Sequence, residues 1–399
     1  MKILLTGANG YIGKRLLPAL LAQGHEVVCC VRDRNRLGRE GIFSHPSISV
    51  VEADFLKDTS PDQSVKDIDA AYYLIHSMST NRGSFEEMGA VSARNFVSYI
   101  EGTKAAQMIY LSGIVNENQL SKHLASRKNV EDILGKSSVP LTTLRAGIIV
   151  GSGSASFEII RDLVEKLPVM VAPKWLNTRT QPISVRNVVE FLTGVLGKKE
   201  TYGHSYDIGG PDILTYKEML LDFGKERGLR RYILTVPVMT PKLSSYWLYF
   251  ITSTSFPLAS NLVNSMKVEV VARKNNLAEL LGISLTPYRK AVAEALRVIE
   301  QDEVPSSWKD SIVSSYNDNT LFSNVNIPQN GVLIDERLRV IKGNPDIVLS
   351  NIWSIGGERG WYFGNFLWRI RGLMDKMAGG VGLRRGRTNR YTINAGDTL

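Results

Sequence analysis

The feature that most constrains the fold is a glycine-rich turn near the start of the chain. A short apolar strand at residues 2–5 leads into a turn with glycines at Gly7, Gly10 and Gly13, and a leucine-rich helix then runs to Gly24. The first glycine permits a tight turn, the second lets a pyrophosphate approach the backbone, and the third allows helix and strand to pack closely. The helix N-terminus offers free N–H groups and a positive dipole end. Strand, glycine turn and helix in this order predict a dinucleotide-binding site.

The end of the second strand, residues 26–31, indicates which dinucleotide is bound. An NAD site usually has an acidic residue there that holds the ribose 2′-OH, but in this chain Arg32 follows the strand directly. A guanidinium can hold a 2′-phosphate with two hydrogen bonds and stack on adenine. We therefore expect NADP(H), with Arg32 as the main ligand and Arg34 or Arg36 as helpers. Asp33, directly after Arg32, keeps NAD(H) possible.

Strands and helices continue to alternate after this point, which predicts a parallel sheet whose ligand lies at the carboxyl ends of the strands. Two side chains that follow strand ends are further candidate cofactor contacts. Asp54 is placed to meet the adenine edge, and His76 is placed near the nicotinamide. The residues of the turn predicted to contact the cofactor are Gly7, Asn9, Gly10, Tyr11, Ile12 and Gly13. Arg32 and Arg34 complete the predicted cofactor contacts.

The fold class expected from this pattern is α/β, with a doubly wound parallel Rossmann sheet and a smaller α/β substrate-capping region. Residues 1–168 form the Rossmann domain, and residues 181–210 return to it. Prolines break residues 169–300 into short elements, as expected of the capping region. A polar linker at residues 301–326 leads to a partial C-terminal domain at residues 327–399, which is rich in glycine and aromatic residues.

Composition and charge narrow the possible partners. The net charge is +9 and the pI about 9.3, which suits an anionic ligand, a nucleic acid or a membrane surface. No nucleic-acid-binding motif is present, so no nucleic-acid partner is expected. Residues 243–266 carry no formal charge, but polar residues and Pro257 interrupt them, so they do not fit a membrane span.

The two cysteines indicate the redox setting. Cys29 and Cys30 are adjacent in an apolar strand and have no metal-binding spacing, which favours buried thiols in a reducing, cytoplasmic setting.

The glycine spacing resembles that of the extended and atypical branches of the short-chain dehydrogenase/reductase superfamily, and the chain looks most like the atypical, NmrA-like branch. The resemblance spans roughly residues 1–299. It is supported by a strand-then-helix element at residues 181–188 and by residues 206–210, which are followed by a helix-capping box at residues 215–218. Members of this branch include NADPH reductases, redox sensors and an NADPH-carrying accessory subunit of respiratory complex I.

The resemblance also implies where the chemistry would take place. In the superfamily a tyrosine exchanges a proton with the substrate oxygen, and a lysine four residues later lowers the tyrosine's pKa and holds the ribose. The counterparts in this chain are His123 and Arg127, which the spacing puts on one helix face. An imidazole suits general acid–base chemistry, whereas Arg127 would anchor the ribose or a phosphate. His76, expected near the nicotinamide, is a rival to His123 for the proton transfer. Ser112 could bond a carbonyl oxygen, and Tyr246 could supply the missing phenol.

Three functions remain open at this point. The first is an NADP(H)-dependent oxidoreductase that acts on an apolar carbonyl or enone-like substrate. The second is a non-catalytic NADP(H) sensor or assembly protein, and the third is a nucleotide-sugar epimerase or dehydratase, which the absence of the tyrosine and lysine disfavours. The apolar helical stripe around Tyr246 could pack in the core, line a substrate pocket or touch lipid. Residues 352–383 resemble the first part of a C-terminal domain of unknown function found in a bacterial subfamily.

Overall fold

The computed structural model describes residues 1–32, 34, 42–57, 59–75, 85–115, 122–236, 268–300, 342–356 and 359–377. The strands in these residues are β1 (Lys2–Thr6), β2 (Glu26–Val31), β3 (Ile48–Glu52), β4 (Ala70–Tyr73), β5 (Gln107–Gly113), β6 (Leu141–Ala146), β7 (Ile149–Val150), β8 (Val169–Pro173), β9 (Arg179–Thr180), β10 (Ile183–Ser184), β11 (Ser205–Ile208), β12 (Leu214–Thr215) and β13 (Tyr232–Val236). The helices are α1 (Gly13–Ala22), α2 (Phe85–Glu101), α3 (Lys122–Leu134), α4 (Ala155–Lys166), α5 (Val185–Gly194), α6 (Tyr216–Glu226), α7 (Leu277–Leu280), α8 (Tyr288–Glu300), α9 (Pro345–Trp353) and α10 (Asn365–Met377).

Seven of the described strands form one parallel sheet in the order β11-β6-β5-β4-β1-β2-β3. The strand order reverses between β1 and β4, because the chain first builds outward through β2 and β3 and then returns to the other side of β1. In an open parallel sheet such a reversal creates a crevice at the carboxyl ends of the strands, where ligands bind. The glycine turn follows β1 and therefore lies at this crevice.

Both faces of the sheet are covered by helices, as the apolar strands require. Successive residues of a strand point to opposite faces, so Leu4 and Cys30 join the core on one face while Leu5 and Cys29 join the core on the other. Helices α2 and α3 cover the first face, and α1 and α5 cover the second. The predicted α/β doubly wound fold is confirmed.

A third apolar core lies largely in the capping region. Helices α4, α6 and α8 pack there against the small parallel sheet of β8 and β13. The fully buried side chains of Phe157, Val164, Phe223 and Val292 are at its centre, and each contributes about 1.5–3 kcal/mol through removal from water. The capping box predicted at the start of α6 is present, since Thr215 and Glu218 each cap the other's backbone N–H. The proposed domain boundaries stay a prediction.

Several element ends differ from the sequence expectation for a physical reason. β4 ends at Tyr73 rather than at residue 75, because the N–H of Leu74 donates to the hydroxyl of Thr6 instead of to a neighbouring strand. β5 continues past residue 111 because Ser112 and Gly113 pair with Arg145 and Ala146 of β6. Long-range pairing of this kind leaves no local signal in the sequence.

The two cysteines are buried and unpaired, as predicted. Burial raises the pKa of both the Cys29 and the Cys30 thiols to about 12. The linker at residues 301–326 and the uncharged stretch at residues 243–266 lie outside the described residues. Among the described helices, none is long and apolar enough to cross a membrane.

Candidate functional site

The glycine turn has the geometry that the sequence predicts. Gly7 has a φ of +66°, which side chains rarely adopt, and a Cβ on Gly7 would lie 2.9 Å from the carbonyl oxygen of Leu74 at the end of β4. A Cβ on Gly13 would lie only 2.1 Å from the carbonyl oxygen of Gly7. The turn is closed by a hydrogen bond from the N–H of Gly10 to the same oxygen, at 2.9 Å. The turn therefore lies directly against β4, and its backbone lines the crevice.

The start of α1 suits an anion. Ile12 precedes the helix and provides no side-chain cap, and the first turn contains no acidic residue. The positive end of the helix dipole is thus left for a ligand, as in known pyrophosphate sites. Thr6 holds the crevice together, since its hydroxyl donates to the carbonyl oxygen of Tyr72 at 2.9 Å and accepts from the N–H of Leu74 at 3.1 Å.

Tyr11, predicted as a cofactor contact, extends from the glycine turn towards the loop that follows β7. A Cβ on Gly151 would lie 2.7 Å from the Tyr11 hydroxyl oxygen. The Arg15 guanidinium lies 4.8 Å from the centroid of the Tyr11 ring and donates to the carbonyl oxygen of Ser152 at 2.6 Å. Burial raises the pKa of the Tyr11 phenol to about 12, and Arg15 opposes this rise. Tyr11 and Arg15 thus join the cofactor turn to the loop before α4.

The end of β2 lies beside the glycine turn. Thr6 pairs with Cys30 in the sheet, so Arg32, two residues beyond Cys30, lies level with the turn, and its side chain is exposed. Arg34 is bound to β3 instead, because its backbone N–H donates to the carboxylate of Glu52 at 2.8 Å and its guanidinium donates to the carbonyl oxygen of Val50. Contact of either arginine with a 2′-phosphate stays a prediction.

Asp54 is partly engaged in local structure. Its carboxylate accepts a hydrogen bond from the N–H of Leu56 at 3.2 Å, and its carbonyl oxygen accepts one from the N–H of Lys57 at 2.8 Å. These bonds fix the chain just after β3, next to the end of β2. Contact between Asp54 and the adenine edge stays a prediction.

Helix α3 carries both His123 and Arg127, and four residues separate them, so they share one face of the helix. The His123 side chain lies outside the described residues. The Arg127 side chain is half-buried, and burial lowers the pKa of its guanidinium, although an arginine remains charged in proteins. Three other predicted site residues, Arg36, His76 and Tyr246, lie outside the described residues.

Tyr110 connects β5 to this helix, and Ser112 lies beside it on the strand. They are two residues apart on β5 and thus face the same side of the sheet, and both are buried. The Tyr110 hydroxyl donates to the carbonyl oxygen of Arg127 at 3.5 Å. Burial raises the pKa of the Tyr110 phenol, while Arg127 and the Ser112 hydroxyl oppose the rise. Tyr110 is not predictable from the sequence, because an apolar strand pattern does not reveal which buried hydroxyl meets a helix.

A buried ion network that the sequence does not predict holds α3 in place. Glu131, one turn after Arg127, accepts two hydrogen bonds from Arg145 of β6, at 3.0 and 2.5 Å, and one from the Ser205 hydroxyl at 2.9 Å. Arg145 also lies 3.7 Å from the carboxylate of Asp207 on β11. Burial alone would lower the pKa of Arg145, but Glu131 and Asp207 raise it.

Asp207 extends the network to Arg273, in the later part of the predicted capping region. Its carboxylate accepts hydrogen bonds from the backbone N–H and the side chain of Arg273, at 3.1 and 3.0 Å. Nearby, Gln181 donates to the carbonyl oxygen of Gly210 at 2.6 Å and accepts from the N–H of Ala272 at 3.0 Å. These bonds fix the elements around the carboxyl ends of β6 and β11. The sequence places Glu131 on the same helix face as Arg127, but it carries no signal for the pairing of Glu131 with Arg145.

Replacing Gly10 by valine is expected to weaken NADPH binding by about 10- to 100-fold, because the side chain would occupy the path of the pyrophosphate and remove at least one charge-assisted hydrogen bond of about 1.5–3 kcal/mol. A Cβ at Gly10 would lie 3.1 Å from the nearest heavy atom, the carbonyl oxygen of Gly7, so the backbone needs little adjustment. The measurement is a fluorescence titration with NADPH.

The matched control is Gly343→Val, since a Cβ at Gly343 meets no atom within 4 Å. This control should bind NADPH as the parent protein does. Normal NADPH binding by a folded Gly10→Val variant would contradict the assignment of the turn.

Comparisons with known proteins agree with this geometry. Residues 7–166 match a family described as NAD(P)H-binding, and residues 328–399 match a family described as proteins of unknown function (DUF2867). The N-terminal part is therefore an NAD(P)-binding Rossmann domain. No match was found among curated protein sequences.

Solved structures of nucleotide-sugar enzymes share the fold. A nucleoside-diphosphate-sugar epimerase from Staphylococcus aureus is 15% identical with a TM-score of 0.59, and the match covers 74% of this chain and 100% of that one. UDP-glucuronic acid 4-epimerase from Bacillus cereus, solved with UDP-glucuronic acid and NAD, is 18% identical with a TM-score of 0.55, over 75% of this chain and 99% of that one. An NAD-dependent NDP-hexosamine 5,6-dehydratase is 14% identical with a TM-score of 0.54, and the match covers 75% of this chain and 98% of that one. At such identities the likeness concerns the fold alone.

Proposed function

We propose that this NAD(P)-binding Rossmann protein uses NADP(H) and catalyses a reduction or oxidation of an apolar, carbonyl-type substrate. The observation that carries the proposal is the glycine turn, which lies against β4 at the point where the strand order reverses, with the exposed Arg32 level with it. A nicotinamide cofactor bound there supplies or accepts a hydride.

The turn fits a dinucleotide on steric grounds. Side chains at Gly7 and Gly13 would collide with the backbone that shapes the turn, and the uncapped start of α1 leaves its positive dipole end for phosphate. The chain therefore keeps its backbone bare where a pyrophosphate would approach. Arg32 would add a positive charge at the adenosine ribose, where NAD-specific sites usually have an acid.

The proton would be handled on the other side of the crevice, where α3 passes the end of β5. In this proposal His123 exchanges a proton with the substrate oxygen, and Arg127 anchors the ribose or a phosphate. Ser112, two residues beyond Tyr110, would orient a carbonyl oxygen by a hydrogen bond. The buried pair of Glu131 and Arg145 would hold α3, and so the two residues on it, at a fixed distance from the sheet.

Replacing Arg32 by alanine is expected to reduce the preference for NADPH over NADH by about 10- to 100-fold, because a hydrogen bond to a charged group contributes about 1.5–3 kcal/mol. NADH binding should change little, since NADH carries no 2′-phosphate. Parallel titrations of the parent and the variant with both nucleotides measure the effect.

Arg230→Ala is the matched control, because Arg230 is also an exposed arginine but belongs to the capping region. It should leave both affinities unchanged. Equal affinity of the parent protein for NADPH and NADH would contradict the NADP(H) proposal and would favour NAD(H).

A nucleotide-sugar epimerase or dehydratase is the second candidate, and the fold of the solved structures above favours it. Those reactions need a proton-transfer residue that also assists a hydride returning to the sugar. In this chain His123 and Arg127 stand where the superfamily has tyrosine and lysine, which favours the simpler redox reaction. If a hydride taken from a nucleotide sugar returns to that sugar, the second candidate is supported. If NADPH binds tightly but neither carbonyls nor nucleotide sugars are turned over, a sensor or assembly protein is favoured.

A further inference from the structure

The last two described helices, α9 and α10, expose an unusual share of apolar side chains. More than half of the large apolar residues exposed in the described part of the chain lie between residues 347 and 377. Phe363, just before α10, is 93% exposed. Contiguous exposed apolar surface of this kind marks a contact with a partner or a membrane.

Helix α10 has a continuous apolar stripe on its exposed side. At 3.6 residues per turn, six side chains of the helix fall on one face, and each is more than half exposed. These residues are Phe366, Leu367, Ile370, Leu373, Met374 and Met377.

The two arginines of α10 lie at the borders of this stripe. By the same helical spacing, Arg369 falls beside one edge and Arg371 beside the other, and both are exposed. Trp368 lies on the opposite face, where its ring stacks on Trp361 with centroids 5.1 Å apart. Arg371 also lies 4.9 Å from the centroid of the Trp368 ring.

The loop between the helices fixes the direction in which the stripe points. The Tyr362 hydroxyl donates to the carbonyl oxygen of Asn351 in α9 at 2.7 Å, and Gly356 and Gly360 form a backbone bridge. The stack of Trp361 on Trp368 attaches α10 to this loop by the face opposite the stripe. The stripe is therefore turned away from its own hairpin.

Charge indicates which partner fits. Between residues 359 and 390 the sequence contains eight arginines and lysines and one aspartate. A short helix with an apolar stripe rich in Phe, Leu, Ile and Met and with arginines at its borders is the type that lies in the plane of a membrane surface. Arginine side chains at the edges can extend their charged ends to lipid phosphates while the stripe enters the acyl chains.

We propose that α10 docks on an anionic lipid bilayer, with its apolar stripe in the headgroup–acyl boundary and Arg369 and Arg371 at the phosphates. Each arginine or lysine near an anionic surface strengthens binding by about fivefold. This contact is peripheral and differs from the stripe around Tyr246 that the sequence singled out. It is independent of the cofactor chemistry proposed above.

Vesicle flotation of the full chain tests the proposal. The protein should float with vesicles of equimolar phosphatidylcholine and phosphatidylglycerol and bind much more weakly to phosphatidylcholine alone. The double variant Arg369→Gln, Arg371→Gln should bind the anionic vesicles about 30-fold more weakly. The double variant Phe366→Ser, Ile370→Ser should lose binding by about tenfold or more, because it removes the deepest apolar contacts.

The matched control is Ile213→Ser with Leu280→Ser, since these apolar side chains are also exposed but belong to the rest of the molecule. It should float like the parent protein, and all variants should keep NADPH binding in solution as a measure of folding. Two outcomes would overturn the proposal. The first is an absence of flotation of the parent protein with anionic vesicles. The second is that the parent binds no vesicles but forms a dimer by light scattering, while the α10 variants are monomers.

Discussion

Replacing His123 by alanine is expected to lower the rate of hydride transfer by about 10²- to 10⁴-fold, which is the usual contribution of a general acid–base group. NADPH affinity should stay within a few-fold of the parent value, because the imidazole is assigned to the substrate oxygen and not to the nucleotide. The measurement is single-turnover oxidation of bound NADPH with a panel of apolar aldehydes, ketones and enones. In the reductive direction the parent rate should fall as pH rises through the imidazole's pKa, because only the protonated form can donate.

Two variants make this result specific. His204→Ala removes an exposed histidine elsewhere in the chain and should leave the rate unchanged. Arg127→Ala should instead weaken NADPH binding, since a guanidinium at that position can anchor but cannot give up a proton. An unchanged rate in His123→Ala would reject His123 as the acid and would make Tyr246 or water the next candidate.

Replacing Arg145 by methionine is expected to destabilise the protein by about 3–5 kcal/mol, the usual cost of removing one partner from a buried ion pair. The substitution would leave the carboxylates of Glu131 and Asp207 in the interior, where their side chains are 7% and 2% exposed. Urea denaturation followed by tryptophan fluorescence and by circular dichroism would measure the loss as a lower midpoint.

The ion pair of Lys128 and Asp132 provides the matched control. It lies on the same helix, but its side chains are 38% and 54% exposed, so Lys128→Met should cost no more than about 0.5 kcal/mol. Adding Glu131→Gln to Arg145→Met should recover part of the lost stability. The Glu131 carboxylate has lost the Arg145 guanidinium in that variant, and glutamine removes its buried charge. A single Arg145→Met variant as stable as the Lys128→Met control would show that the buried network contributes little.

The NADPH titration of Arg145→Met also links the network to the site. Arg127 lies one helical turn before Glu131 on α3, so a helix that loses its tie to β6 should hold Arg127 less firmly. We expect weaker NADPH binding in this variant under conditions where it remains folded. Unchanged binding would limit the role of the network to stability.

The sequence by itself determined the class of the fold and the place of the cofactor turn. Both depend on local physics: strands and helices alternate with their own periods, and glycines stand where a side chain would collide with the turn. Gly7 illustrates this, since its positive φ forms the tight turn that the glycine spacing predicted. The capping box at Thr215 and the burial of Cys29 and Cys30 were likewise local properties.

Only the tertiary structure decided which residues far apart in the chain meet. Arg145 and Glu131 lie on different elements, and nothing in their own sequence neighbourhoods shows that they pair in the interior. Arg34, predicted as a helper in 2′-phosphate binding, is hydrogen-bonded to β3, a contact that depends on the pairing of β2 with β3. The reason is physical: sequence periodicity tells which face of an element is buried, whereas sheet order and register decide what that face is buried against.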